Sequence, residues 1–90
     1  MTIEVVIEPD ALIMMSRRFA ATAEERAAIL SVLGALTNSA EPAGRFHPGL
    51  SIGYRVAFID PPMFRIDVGR FRIHYFLEDR TARITYIGVY

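Results

Sequence analysis

Between Met63 and Leu77 the chain alternates with a period of two around a single glycine. Phe64, Ile66 and Val68 are apolar, then Phe71, Ile73 and Tyr75, with Arg65, Asp67, Arg72 and His74 set between them. Alternation of this kind is the signature of a half-buried strand, because successive side chains point to opposite faces. Gly69-Arg70 makes a two-residue loop with glycine at the first central position, as a type II′ hairpin turn requires. The loop length leaves one register: Val68 faces Phe71, Asp67 faces Arg72, Ile66 faces Ile73, Arg65 faces His74 and Phe64 faces Tyr75. A slip of one residue would send every apolar side chain to the wrong face.

The same pattern extends to both sides. Residues 83–89 read as a strand reached through a four-residue link, Glu78–Thr81. Ala82 then faces Leu77, Arg83 faces Phe76, Ile84 faces Tyr75 and Thr85 faces His74. The covered face is expected to hold Phe64, Ile66, Val68, Phe71, Ile73, Tyr75, Ile84 and Tyr86. The open face is expected to hold Arg65, Asp67, Arg72, His74, Arg83 and Thr85. Residues 52–59 read as a further strand, ended by Asp60-Pro61-Pro62, and Arg55 joins the open face if that strand pairs in the simplest way.

The first half of the chain reads differently. Residues 3–7 are a short β-rich strand. Pro9 suits the first turn of a helix, where its missing N–H costs nothing. Leu12, Met15 and Phe19 recur at helical spacing over residues 9–20. Thr22-Ala-Glu-Glu25 is a capping-box sequence, in which the Thr22 hydroxyl accepts from the Glu25 N–H and Glu25 reaches back. The helix it opens buries Ile29, Val32, Leu33 and Leu36 and ends near Asn38-Ser39, with Pro42 forbidding continuation. Residues 39–50, with Pro42, Gly44, Pro48 and Gly49, are expected to be a loop. The fold expected is α+β: an N-terminal strand, a two-helix hairpin and an antiparallel β-meander. The helices pack on one face of the sheet, and the chain forms one domain over residues 1–90.

Composition narrows the chemistry. A chain of 90 residues leaves no room for a second domain or a dinucleotide fold. It has no cysteine, which removes disulfides, thiolate metal sites and thiol nucleophiles. No apolar run approaches a membrane span and no segment resembles a signal peptide, so a soluble cytoplasmic protein is expected, with no membrane partner. No phosphate-cradling glycine loop, GxSxG or HExxH is present. The two histidines, His47 and His74, are far apart, so no metal or other cofactor is expected. Net charge is zero, but residues 1–44 carry six acids and three arginines whereas residues 45–90 carry four acids and seven arginines. The apolar content of 52% exceeds what a monomer of this size readily buries, favouring a homo-oligomer or heterocomplex.

The open face is where chemistry is expected. Guanidinium groups match phosphate bidentately, and phosphate neutralisation dominates nucleic-acid affinity. Arg72 and Arg65 are the candidates to hold a scissile phosphate and stabilise its transition-state charge, with His74 the candidate proton carrier. Arg83, Arg55 and Arg45 are the further RNA-binding candidates. A plainer reading stands beside this one. Antiparallel sheets commonly have a solvated polar face, Asp67 opposite Arg72 makes a cross-strand ion pair, and a single histidine on a strand is most often surface.

The hairpin residues Phe64-Arg65-Ile66-Asp67-Val68-Gly69-Arg70-Phe71-Arg72-Ile73-His74-Tyr75 resemble the hairpin of RelE/ParE-superfamily toxins. That family shows an aromatic-Arg-Ile-x-Val-Gly-x-Tyr-Arg-x-x-Tyr pattern. Glu8-Pro9-Asp10-Ala11-Leu12 resembles its Ser-Pro-x-Ala-Leu helix start, and Ile84 to Gly88 resembles its last strand. The resemblance implies a toxin of a type II toxin–antitoxin pair, bound by a cognate antitoxin segment lying along helices and sheet. RelE-like members cut mRNA on the ribosome without metal; ParE-like members poison DNA gyrase. Arg72 matches the family's hairpin arginine, which contacts the scissile phosphate in the nuclease branch, and Arg65 a basic position on the preceding strand. Asp67 stands where nuclease members often carry a second basic residue. The family's terminal His-Arg has no counterpart before Val89-Tyr90, where Tyr90 or His74 would have to substitute. Two readings follow: an RNA-binding mRNA endonuclease, and a non-catalytic interaction protein of the same fold, ParE-like or degenerate.

Overall fold

A computed structural model of the chain describes residues 3–36, 44–47, 51–57 and 61–89. The strands are β1 (Glu4–Ile7), β2 (Gly44–His47), β3 (Ser51–Ala57), β4 (Met63–Val68), β5 (Phe71–Glu78) and β6 (Thr81–Val89). The helices are α1 (Pro9–Ile13), continued by a π-helical turn over Met14–Arg18, and α2 (Ala23–Ala35). The fold is α+β.

The strands form one mixed sheet in the order β1-β6-β5-β4-β3-β2. From β2 to β6 the pairing is antiparallel, while β1 lies parallel to β6, with Val5 opposite Ala82 and Ile7 opposite Ile84. A parallel neighbour needs a crossover, and α1, the π turn and α2 lie between β1 and the rest of the sheet in sequence. The expected loop over 39–50 is corrected in part, since Gly44–His47 forms edge strand β2 against β3.

The β4–β5 hairpin has the register read from sequence, pair for pair from Phe64–Tyr75 to Val68–Phe71. Gly69 has φ +58°, the left-handed value that a II′ turn asks of its first central residue. Two expectations for β6 are corrected. The β5–β6 link is a two-residue turn, Asp79-Arg80, because Glu78 and Thr81 already pair. Asp79 takes the positive φ there, 53°, a conformation aspartate tolerates. Thr85 is not opposite His74: the ladder passes from Tyr75–Ile84 to His74–Tyr86, so Thr85 is the extra residue of a β-bulge. Tyr86 therefore leaves the covered face for the open one, and Ile87 takes the inward position opposite Ile73.

One cluster forms the core. Ala11, Met15, Ile29, Val32, Leu33 and Leu36 from the helices meet Phe64, Ile66, Val68, Phe71, Ile73, Tyr75, Ala82, Ile84 and Ile87 from the sheet. The inward face of α2 is the one expected. On α1 the buried residue is Ala11, while Leu12 is 40% exposed and Ile13 50%. The π turn shifts the register of the helix, with the Phe19 N–H donating to the Met14 carbonyl at 2.9 Å.

The start of α2 is tied to the hairpin tip. The capping box is closed: the Glu25 N–H donates to Thr22 Oγ1 at 3.1 Å, and the Thr22 N–H to Glu25 Oε1 at 3.0 Å. Arg70, in the β4–β5 turn, donates from Nε to Glu25 Oε2 at 2.6 Å and from Nη2 to Glu25 Oε1 at 3.0 Å and the Phe19 carbonyl at 3.2 Å. The Arg70 hydrogen bond, then the Thr22 N–H, hold the Glu25 carboxyl at about 2, against an ordinary 4.5. A depressed carboxyl contributes stability above its unfolded value and loses it as pH falls through its folded value. The clasp is thus intact above pH 4.5 and released as pH approaches 2. Thermal melts between pH 5 and pH 2 should show a steeper loss for the native chain than for Glu25→Gln, which lacks the titrating group. Parallel curves would assign the acid loss to other carboxylates.

Candidate nucleic-acid interface

The open face is built in cross-strand rows. In the first, Arg65 of β4, His74 of β5 and Tyr86 of β6 lie side by side; in the second, Asp67, Arg72 and Gly88; in the third, Met63, Phe76 and Arg83. Directly opposed residues share a face, so the two hairpin strands bring Arg65, Arg72 and His74 together as the alternation requires.

Asp67 lies between the two arginines. Its Oδ2 is 3.2 Å from Arg65 Nη2 and accepts a hydrogen bond there, and its Oδ1 is 3.6 Å from Arg72 Nε. The cross-strand Asp67–Arg72 pair of the plainer reading therefore exists, and the same carboxylate also holds Arg65. All three side chains are about one-quarter exposed, at 24%, 25% and 28% for Arg65, Asp67 and Arg72. Partial burial strengthens the attraction within these contacts but also costs desolvation of the charges. Two cations on one anion leave a net positive charge, with both guanidiniums restrained by the same partner.

His74 sits beside this group, and its ring lies 5.2 Å from that of Tyr86 at 35°. Burial, first, and then the positive charges of Arg72 and Arg65 push the imidazole below its ordinary 6.5; Asp67 opposes them. At neutral pH His74 is therefore uncharged and able to accept a proton. The Thr85 hydroxyl lies 3.5 Å from the His74 carbonyl, at the limit of a hydrogen bond, and not against the imidazole.

Tyr86 is the residue that sequence reasoning misplaced. No local signal decides between the adjacent Tyr86 and Ile87 for the inward position: the bulge shows only in the pairing, where the inward positions of β6 run Ala82, Ile84, Ile87 and Val89. Gly88 completes the arrangement. A Cβ there would stand 2.6 Å from Tyr86 Oη, 2.7 Å from Tyr86 Cζ and 2.8 Å from Phe19 Cε2. The Tyr86 ring lies down over Gly88 with the Phe19 ring against the same spot, which only a residue without a side chain allows.

The remaining basic candidates are not gathered in the same way. Arg83 is in the third row, next to Phe76, with Nη2 3.6 Å from Glu78 Oε2 on an exposed part of the strand. The backbone pairs Arg55 with Phe64, a residue of the buried row, and places Tyr54 opposite Arg65. Arg45 is opposite Ile52, which is opposite Asp67, so Arg45 occupies the same backbone row, two strands from Asp67 and three from Arg72. His47 of edge strand β2 pairs with Ser51 of β3, and Tyr90 lies outside the described residues.

Among the described residues no three His, Cys, Asp or Glu side chains come together as a metal site, and no helix is long and apolar enough to cross a membrane. Compared with known proteins, the chain matches no family model, no curated protein and no solved structure.

Proposed function

We propose that this protein is a RelE/ParE-like toxin of a type II toxin–antitoxin pair that binds RNA phosphate on the open face and cleaves mRNA on the ribosome. The observation that carries the reading is the gathering of Arg65, Arg72 and His74 in adjacent rows of the sheet face opposite the helices. Support also comes from the hairpin sequence and from the element order, a strand, two helices and an antiparallel meander.

The chemistry needs only RNA and these side chains. The 2′-hydroxyl oxygen bonds to the adjacent phosphorus while its proton passes to the His74 imidazole. The bond from phosphorus to the 5′ oxygen breaks, and the departing oxygen takes a proton from water, leaving a 2′,3′-cyclic phosphate. Arg65 and Arg72 meet the charge that builds on the phosphorus oxygens. Purified protein added to translating ribosomes should produce discrete mRNA ends; a message left intact at stoichiometric protein ends the nuclease reading. Because His74 must be uncharged to accept the proton, the rate should fall as pH drops through its depressed value, below 6.5. His74→Gln should remove that acid limb together with most of the rate, and an unchanged profile would take His74 out of the mechanism.

A second reading draws on Asp67, whose carboxylate engages both guanidiniums, and on the outward side chains of Leu12, Ile13 and Leu30. In it the protein keeps the toxin fold but acts by binding, to gyrase, to its antitoxin or to itself. It requires a stable complex and no RNA cleavage. Inducible expression in a bacterium, with and without the adjacent gene, separates a toxin from a bystander: growth arrest relieved by the neighbour supports the pair.

A further inference from the structure

The open face is not uniformly polar. Phe76 stands on it in the third row, between Met63 of β4 and Arg83 of β6, and it is half-buried. Phe71 and Tyr75, its aromatic neighbours on β5, are packed in the core. Phe76 and His74 are alternate residues of one strand, so their side chains rise from the same face roughly 7 Å apart. Beyond His74 lie Arg72 and its shared carboxylate. On β4, β5 and β6 the rows from Phe76 to Arg72 hold Arg83, Arg65 and Arg72 against Asp67. The next row on the other side is Glu78 with Thr81 and, on β1, the exposed Glu4. The acidic row bounds the face at one end and the arginine pair at the other.

Resting on the RNA-binding reading above, we propose that Phe76 is a base-stacking subsite. The face then takes single-stranded RNA, with one unpaired base on the Phe76 ring and a nearby phosphate on Arg65 and Arg72. Stacking on an aromatic ring requires a base freed from its duplex partner, and it tolerates any base because every base has a π-face. With one carboxylate already between the two arginines, few phosphates are neutralised, and stacking supplies much of the affinity.

The test is fluorescence anisotropy with a labelled single-stranded RNA oligonucleotide and the same strand in a duplex, at several salt concentrations. The native chain should prefer the single strand. Phe76→Leu keeps an apolar contact for Met63 but removes the ring. It should weaken single-strand binding by about 5- to 150-fold and leave the log–log salt slope unchanged. Phe76→Trp should bind as the native chain does. Arg72→Ala should instead flatten that slope by about 0.7. Thermal melts confirm that each variant is folded.

Native affinity in Phe76→Leu beside a weakened Arg72→Ala would overturn the stacking subsite and leave the phosphate reading standing. A native chain that binds neither form of RNA would overturn both. If Phe76→Leu converts a dimer to a monomer in sedimentation with RNA affinity unchanged, Phe76 is a protein contact and the proposal fails.

Discussion

Arg72→Ala is expected to lower the proposed ribosome-dependent mRNA cutting by about 10²–10³-fold, the loss seen when one preorganised charge-stabilising donor is removed from a transition state. The size of the effect rests on geometry. Arg72 lies in the middle strand of the three that bear the described side chains of the open face, beside the row of Arg65 and His74. Its guanidinium is restrained by Asp67 and about one-quarter exposed, so little reorganisation is needed when charge develops on a phosphate. Burial is the first cause that lowers His74 and the Arg72 charge the next; the substitution removes the second, so the acid limb of the pH profile should move part of the way toward the ordinary histidine value. Arg72→Lys keeps the charge but loses the planar fork and should recover only part of the rate. The assay is end-mapping of a message on translating ribosomes over time. A mutant that cuts as fast as the native chain would sink the assignment of Arg72 as the phosphate holder.

Tyr75→Ala is expected to cost about 3–5 kcal/mol, the range for removing a large aromatic side chain from a packed core. A chain of 90 residues has only about 5–13 kcal/mol in total. Tyr75 is fully buried and heads the largest side chains of the core. Its ring stacks on that of Phe64 across the hairpin, with centroids 5.4 Å apart and planes 18° from parallel. Ile84 lies opposite it on β6, so the cavity would open where three strands meet and collapse poorly. Urea denaturation measures the difference, and Tyr75→Phe separates the ring from the hydroxyl. Leu30→Ala is the contrast: Leu30 is 48% exposed on α2, and a surface change of this kind should stay within about 0.5 kcal/mol. A Tyr75→Ala midpoint equal to that of Leu30→Ala would mean that the hairpin does not form the centre of the core.

These two residues show what could be read in advance. Arg72 and Tyr75 are three positions apart on β5 and face opposite ways, and their alternation around Gly69 settled both faces before any fold was known. The two-residue link permits one pairing, and only that pairing sorts apolar from polar side chains. The α2 start was legible for the same kind of reason, because a capping box is satisfied within four consecutive residues. The α1 face was not. Leu12 has helical spacing with Met15 and Phe19, yet it is exposed, because the π turn and the packing of this segment on β6 set its rotation.

Sequence by itself determined the elements whose decisive contacts lie within a few residues: the β4–β5 register, the capping box and the sharing of one face by Arg65, Arg72 and His74. Tertiary structure alone decided three further features. Strand β1 runs parallel to β6, although almost the whole chain separates them. Arg70 clasps Glu25 across 45 positions. A bulge at Thr85 turns Tyr86 outward so that Ile87 can fill the core. Local rules fix a strand's alternation, but they cannot say where the ladder gives up one residue. That choice goes to the register that buries Ile87 against Ile73 and lays the Tyr86 ring over Gly88, and both are energies of contact between distant segments.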